Sequence, residues 1–264
     1  MPKAMKVSLQ MSKEGSTTHN SRNFDLERAT HIDSSRTHLN HYVAIYPELK
    51  HDFTQVEKKF YAEQFKDWVA EKKANAKKYR HPERAKTSEQ LRTNIRTCPE
   101  EIIYQVGDLN NAPSSKEFRL WMQEIIKYHY ELTKGHCQIL NTAIHNDEYS
   151  PHTHVRQVWT YLDTKKDGTK ILKIGKDKAL EAAGIPLPDP TKPKGQYNNR
   201  QMTYTRMMRE KAESLAREMG FEIDTKRSKR KHLSKEKYIE HAQEKERKQF
   251  ELHEKRAKEL KGNK

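Results

Sequence analysis

The stretch "HCQILNTAIHNDEYSPHTHVRQVWTYL", residues 136–162, decides how this chain folds. Its flanks, "HCQILNTAIH" and "HVRQVWTYL", have the β-branched and aromatic content of strands. The connection between them is short and polar and is punctuated by Pro151, so the strands return side by side. Residues two apart on a strand share a face, which puts His152 and His154 together. The preceding strand ends at His145, so three imidazoles converge from two neighbouring strands. Three neutral nitrogen ligands with coordination positions left open describe a catalytic rather than a structural metal site. Asp147 and Glu148 sit in the turn, where one can orient an imidazole or accept a proton. The plain alternative is a polar hairpin with exposed histidines. Imidazoles suit Zn, Mn, Fe, Co or Ni better than Mg, although Mn or Mg can serve when substrate oxygens complete the shell.

Upstream, "KVSLQM" alternates with the period of a half-buried strand, and "THLNHYVAI" predicts a second. The polar segment between them is expected to be a long loop with a helical turn. Apolar residues at Phe53, Val56, Phe60, Trp68 and Val69 predict one amphipathic helix from Phe53 to Tyr79, with Phe65 off the stripe. "EIIYQV" is a short strand. Ser114 and Glu117 stand at capping-box spacing before a helix whose face is Phe118, Trp121, Met122, Ile125, His129 and Leu132. After the hairpin come a turn at Asp167-Gly168 and a Pro- and Gly-rich excursion from Gly184 to Asn199. A helix then runs through Tyr204, Met208, Leu215 and Met219 to Gly220, and "FEI" is a candidate last strand. No internal repeat is present. The expected class is α+β: a central, mainly antiparallel sheet flanked by helices.

The 264 residues carry 52 Lys+Arg against 37 Asp+Glu, a formal charge of +15. That balance points to a polyanionic partner, nucleic acid before anionic membrane. No apolar run is long enough to span a bilayer, and the N-terminus lacks the apolar core of a signal peptide. Two cysteines make no disulfide framework, so a reducing compartment, the cytoplasm, is expected. Residues 226–264 hold 15 Lys+Arg and 7 Asp+Glu. They form a basic tail, helical or disordered, behind a domain of residues 1–225.

The long polar loop contains "TTHNSR", with His19, Asn20 and Arg22, and then "SSRTHLN", with Arg36, His38 and Asn40. Singly these are surface residues; together, upstream of "HNDEYSPHTH", they carry a resemblance. The chain resembles the plasmid mobilisation relaxases of the Mob/Pre type, a branch of the histidine-hydrophobe-histidine (HUH) endonucleases. "HNSR" looks like the family's His-Asn-x-Arg, and "SSRTHLN" like its Ser-Arg-Ser/Thr-x-x-Asn element. "HNDEYSPHTH" fits His-x-Asp-Glu-x-x-Pro-His-x-His at every fixed position. The resemblance covers most of residues 1–225.

It implies site- and strand-specific nicking and rejoining of plasmid DNA at an origin of transfer, through a covalent protein–DNA intermediate. By the same resemblance His19 is the nucleophile, Arg22 lies beside it and Glu148 belongs to the active site. His145, His152 and His154 hold a divalent metal, Mn2+ or Mg2+. Arg22, Arg36 and Asn40 are the expected DNA-binding residues. Tyr42 is a second candidate nucleophile, since a phenol can perform the same displacement. The chain departs from the family in its short basic C-terminus, which leaves dimerisation open and gives no ground for membrane contact. It departs again in the Gly184–Asn199 excursion. Two other classes remain in view: a three-histidine zinc hydrolase, and a non-catalytic basic DNA-binding protein of plasmid replication or recombination.

Overall fold

The histidine hairpin is the centre of the sheet. The computed structural model describes residues 4–26, 29, 32–108, 111–148, 150–225 and 244. In it β4 (Cys137–His145) and β5 (His152–Thr164) pair antiparallel, with His145 opposite His152. β3 (Glu100–Val106) lies on the other side of β5, and β1 (Val7–Ser12) lies outside β3. β2 (His41–Ala44) closes the far edge against β4, while β6 (Lys170–Ile174) pairs with the distal half of β5. Among the described residues this is a six-stranded sheet of order β1-β3-β5-β4-β2, with β6 beside β5. Every strand pairing in it is antiparallel, and the class is α+β as the sequence predicts.

Strand alternation divides the sheet into two unlike faces. One carries Ile102, Tyr104, Val155 and Trp159 and packs on α5 (Ser115–Thr133), α6 (Lys176–Ala182) and α7 (Arg200–Glu218). Phe118, Trp121, Met122, Tyr204 and Met208 are buried in that layer. The opposite face carries Ala143 and Val158 beneath α2 (Phe53–Gln64), which buries Phe53, Val56, Phe60 and Tyr61 there. Glu57 of α2, fully buried, accepts from Arg156 Nε at 2.8 Å and ties this helix to β5. Toward the β4–β5 turn the same face carries His145, His152 and His154 in place of apolar side chains.

Ser114 and Glu117 form the expected capping box, and α5 ends at Lys134 and Gly135, both left-handed. The helix expected from Phe53 to Tyr79 is divided. α2 stops at Gln64 and α3 (Lys66–Lys78) begins after Phe65. Phe65 is completely buried, its ring 5.2 Å from Tyr61, 5.9 Å from Phe60 and 6.2 Å from Trp68. Breaking the helix at this residue brings a ring that lies off the apolar stripe into the core. The strand expected from Thr37 starts only at His41, because Ser34–Leu39 is a 3-10 turn. "FEI" contributes a single bridge, Ile223 to Met5. α4 (Ser88–Thr93), α6 and β6 lie where the periodic signal is short. Apart from Glu244, the basic tail lies outside the described residues. Among those residues no helix is long and apolar enough to cross a membrane.

Candidate metal centre and nucleophile

The β4–β5 turn, the segment 15–22 and the 3-10 turn meet above the polar half of the sheet. His145, His152 and His154 have ring centroids 4.9 to 5.3 Å apart, from the register that sets His145 opposite His152. Each ring has one nitrogen occupied. His145 Nε2 lies 3.0 Å from the Asn20 carbonyl, His152 Nδ1 2.9 Å from the Ser150 carbonyl, and His154 Nδ1 3.0 Å from Glu101 Oε1. Those partners only accept, so the occupied nitrogens carry the protons and each neutral ring keeps a lone pair on the other. His145 Nδ1 and His154 Nε2 are buried with no hydrogen-bond partner. An orphaned buried acceptor costs free energy, and a cation shared between such lone pairs removes that cost.

Electrostatics disfavour the charged forms of His145 and His152. Burial, then the charge of its neighbours His154, Arg22 and His152, pushes His145 far below the ordinary imidazole range. Burial, then His154, lowers His152 to about 4. Donor atoms of His145, Glu148 and His152 lie within 4.8 Å of one another, and so do those of His19, His145 and His154. The donor set therefore fits a divalent ion of intermediate softness, with His145 common to both groups.

His19 stands on α1 (Thr17–Asn20), whose N-cap Ser16 accepts from the His19 amide. Gly15 precedes it, and a Cβ there would collide with Arg156 Nη1 and Glu101 Oε2, so those side-chain ends would have to shift. His19 Nε2 lies 3.3 Å from Glu148 Oε1 and 3.3 Å from Arg22 Nη1. The His19 ring is 5.5 Å, centroid to centroid, from both His145 and His154. Arg22 is left-handed, φ 55°, and is held by two bonds to Asp147 at 2.6 and 3.0 Å and a third to Glu148 at 2.8 Å. Burial opposes the charge on Asp147, but hydrogen bonds from Arg22 and Asn40 hold its carboxyl below the usual range. Burial likewise opposes ionisation of Glu148; His19, His152 and Arg22 overcome it and hold this carboxyl far down.

Of the two turn acids, Asp147 is therefore a clamp. It accepts from Arg22, Asn40 and Thr37, and its carbonyl accepts from the Asp33 amide. Asn40 reaches this network, donating to Asp147 at 2.6 Å and accepting from the Asn146 amide at 2.7 Å. Arg36 sits half-buried on the 3-10 turn, and among the described residues no hydrogen bond or ion pair joins it to the histidines. The Tyr42 hydroxyl lies 3.2 Å from Asn40 Nδ2, at the outer side of the clamp, and burial raises its pKa. One residue went unmarked in the sequence, Glu101, which binds His154 and the Asn20 side chain; Asn20, named there beside His19, also accepts from His145 through its carbonyl. The signal of Glu101 is a carboxylate on the same strand face as Ile103, which becomes legible only once that face is known to hold imidazoles.

An antiparallel scaffold offering imidazoles from one hairpin, with a further histidine and a carboxylate above them, belongs to the class able to hold a catalytic divalent ion. No family model matches the chain, and no curated protein matches it. Among solved structures it is similar to the MobM relaxase domain (MOBV; Mob_Pre) bound to 22-nucleotide plasmid pMV158 oriT DNA with a 3′-thiophosphate, Mn-bound at pH 6.8. That similarity is 18% identity and a TM-score of 0.49, over 90% of this chain and 98% of the other. A second MobM structure with 22-nucleotide oriT DNA, Mn-bound at pH 4.6, gives 18% identity and a TM-score of 0.48, over 90% of this chain and 100% of that one.

Proposed function

We propose that this chain is a metal-dependent DNA relaxase, which nicks and rejoins one strand at a plasmid origin of transfer through a covalent bond to His19. The observation that carries the proposal is the pair of buried nitrogens on His145 and His154 that have no hydrogen-bond partner, in van der Waals reach of a fourth imidazole that is itself paired to Glu148. His145, His152 and His154 would hold the ion. Mn2+ and Mg2+ are the ions the sequence resemblance implies, and the MobM domains are Mn-bound. When bound, such an ion neutralises the non-bridging oxygens of a phosphodiester and the charge developing on the leaving 3′ oxygen.

The chain's own groups do the rest. His19 must be neutral to attack phosphorus; with the ring proton on Nε2, Glu148 accepts from it and Arg22 Nη1 donates to the His19 carbonyl instead of the ring. Attack through the other ring nitrogen forms an N–P bond, breaks P–O3′ and leaves a cationic ring whose Nε2 proton is directed at Glu148. Glu148 takes the Nε2 proton, which leaves the 5′ phosphate on the protein as a neutral-ring phosphoramidate, and the departing 3′ oxygen takes up one proton from solvent to become a hydroxyl, so the protons balance. Arg22, fixed by Asp147, holds Glu148 in place. The charge of +15 suits a polyanionic substrate.

The test is a supercoiled origin plasmid incubated with Mn2+ or with EDTA, followed by a suicide oligonucleotide that traps the adduct. Nicked circles with Mn2+, none with EDTA, and an adduct cleaved by mild acid are expected, because protonation of a P–N bond makes it labile. His19→Ala should abolish the adduct and Tyr42→Phe should retain it. His154→Ala should lose Mn2+ binding and nicking while keeping most DNA affinity, which Lys and Arg supply. An acid-stable adduct mapped to a tyrosine peptide would overturn the nucleophile. Metal-dependent turnover with no adduct would point to a hydrolase, and binding without cleavage to a DNA-binding protein.

A further inference from the structure

His145 faces the metal centre, so its strand neighbours Ile144 and Asn146 face the other side of the sheet. There they line a cavity of about 380 Å3 between the start of β2 and the first turn of α5. His38, Leu39 and His41 form one wall, Lys116 and Arg119 the other, and among the described residues no carboxylate lines it. A volume of this order accepts one small organic ligand. The floor is rigid. Asn146 donates from Nδ2 to the Leu39 carbonyl at 2.7 Å, and its amide donates to Asn40 Oδ1, also at 2.7 Å. Asn146 is 2% exposed, and its Oδ1 is buried with no hydrogen-bond partner.

Two further features give the cavity a chemical character. Burial, then the charge of Arg119 and Lys50, lowers the pKa of His41, so its ring is a neutral surface beside two fixed cations. Leu39, Val43 and Leu120 are 42%, 51% and 46% exposed and continue an apolar path along edge strand β2 and α5. Apolar surface beside cations, without acids, matches a chain that alternates base and phosphate. Asn40 bridges the two sides, because the same amide that binds Asn146 also binds Asp147, the clamp of Arg22.

We propose that this cavity binds one nucleotide of the single strand flanking the scissile phosphate, with Lys116 and Arg119 on its phosphate and Leu39, Ile144 and the His41 ring against its base. The bound strand then passes over the end of β4, from the histidine face to the α5 face. This rests on the relaxase reading, and it adds a specificity-determining subsite to it. A strand so gripped is held on both sides of the sheet end, which fixes the register of the phosphate presented to His19.

The experiment uses the full chain and a labelled single-stranded oligonucleotide spanning the nick, titrated by fluorescence anisotropy across a salt series. Lys116 and Arg119 are exposed, so K116A/R119A should fold and bind Mn2+ as the parent does. Its affinity should fall about five- to tenfold, and the slope of log K against log salt should shrink by about 0.7, as for one lost single-strand phosphate contact. 5-Iododeoxyuridine placed stepwise along the strand should cross-link to the 38–41 peptide from a single position. A parent that neither binds nor nicks the strand would overturn the relaxase reading and this subsite together. A parent that does both, with a double variant of unchanged affinity and slope, would overturn the subsite alone.

Discussion

At the scale of single residues, the site depends on groups that touch no substrate. Arg22 and Asp147 are 3% and 0% exposed, and Arg22 pairs with Asp147 through a left-handed backbone. Removing one partner of a buried pair strands the other charge, at a cost of about 3–5 kcal/mol. Asp147→Ala should therefore lower the unfolding free energy by about 3 kcal/mol, the low end of that range because Glu148 still pairs with Arg22. Urea denaturation read by tryptophan fluorescence measures this, and a loss under about 1 kcal/mol would show that the clamp is dispensable. The histidines were legible in the sequence because strand period and a short turn fix which side chains converge. The clamp was not, since Asp147 and Arg22 lie on segments with no periodicity, and only the folded loop brings both turn acids onto the arginine.

Among elements, the contact of α5 with α7 contains a buried imidazole unrelated to metal. His129 Nδ1 lies 2.9 Å from the Tyr204 hydroxyl, its Nε2 has no partner, and burial lowers its pKa to about 4. The unfolded chain binds this proton near pH 6.5, so between pH 6.5 and 4 unfolding takes up a proton. The stabilisation from the neutral ring is complete above pH 6.5 and is lost as pH falls toward 4, in total about 3 kcal/mol. His129→Leu should remove that component. Denaturation in EDTA at pH 7.5 and 5, parent against variant, isolates it from the site histidines. An equal pH dependence in both proteins would show that His129 is not its source. His129 was read correctly as a member of the helix face, because the 3.6-residue stripe identifies position whatever the side chain. The break at Phe65 was not legible, because it is a tertiary preference for burying a ring over continuing a helix.

For the whole molecule, charge is the feature that sequence gives most directly. Residues 226–264 carry a net +8, from 15 Lys+Arg and 7 Asp+Glu. On the relaxase proposal, truncation after Thr225 should weaken binding to any DNA and flatten the salt dependence, while the nick stays at the same phosphate. Filter binding at several salt concentrations, with primer extension to map the nick, tests both. A salt slope equal to that of the full chain would mean that these residues make no phosphate contact. The α+β class and the central hairpin follow from strand period and turn chemistry, whereas the strand order does not. Neither β1 beside β3 nor β2 beside β4 is a sequence neighbour, and only long-range packing selects them.

That strand order has a consequence for how the chain is made. As it leaves the ribosome, β1 can pair with β3 and β2 with β4, which gives two separate two-stranded pieces. β5 lies between β3 and β4, so it is the strand that fuses them, and it emerges after all four. Until it does, both pieces present open edges, a state exposed to wrong pairings. The fusing strand also carries His152 and His154, so a nascent or prematurely terminated chain cannot assemble the centre. The three imidazoles then come together only with the event that seals the sheet, and a chain ended before β5 lacks two of them.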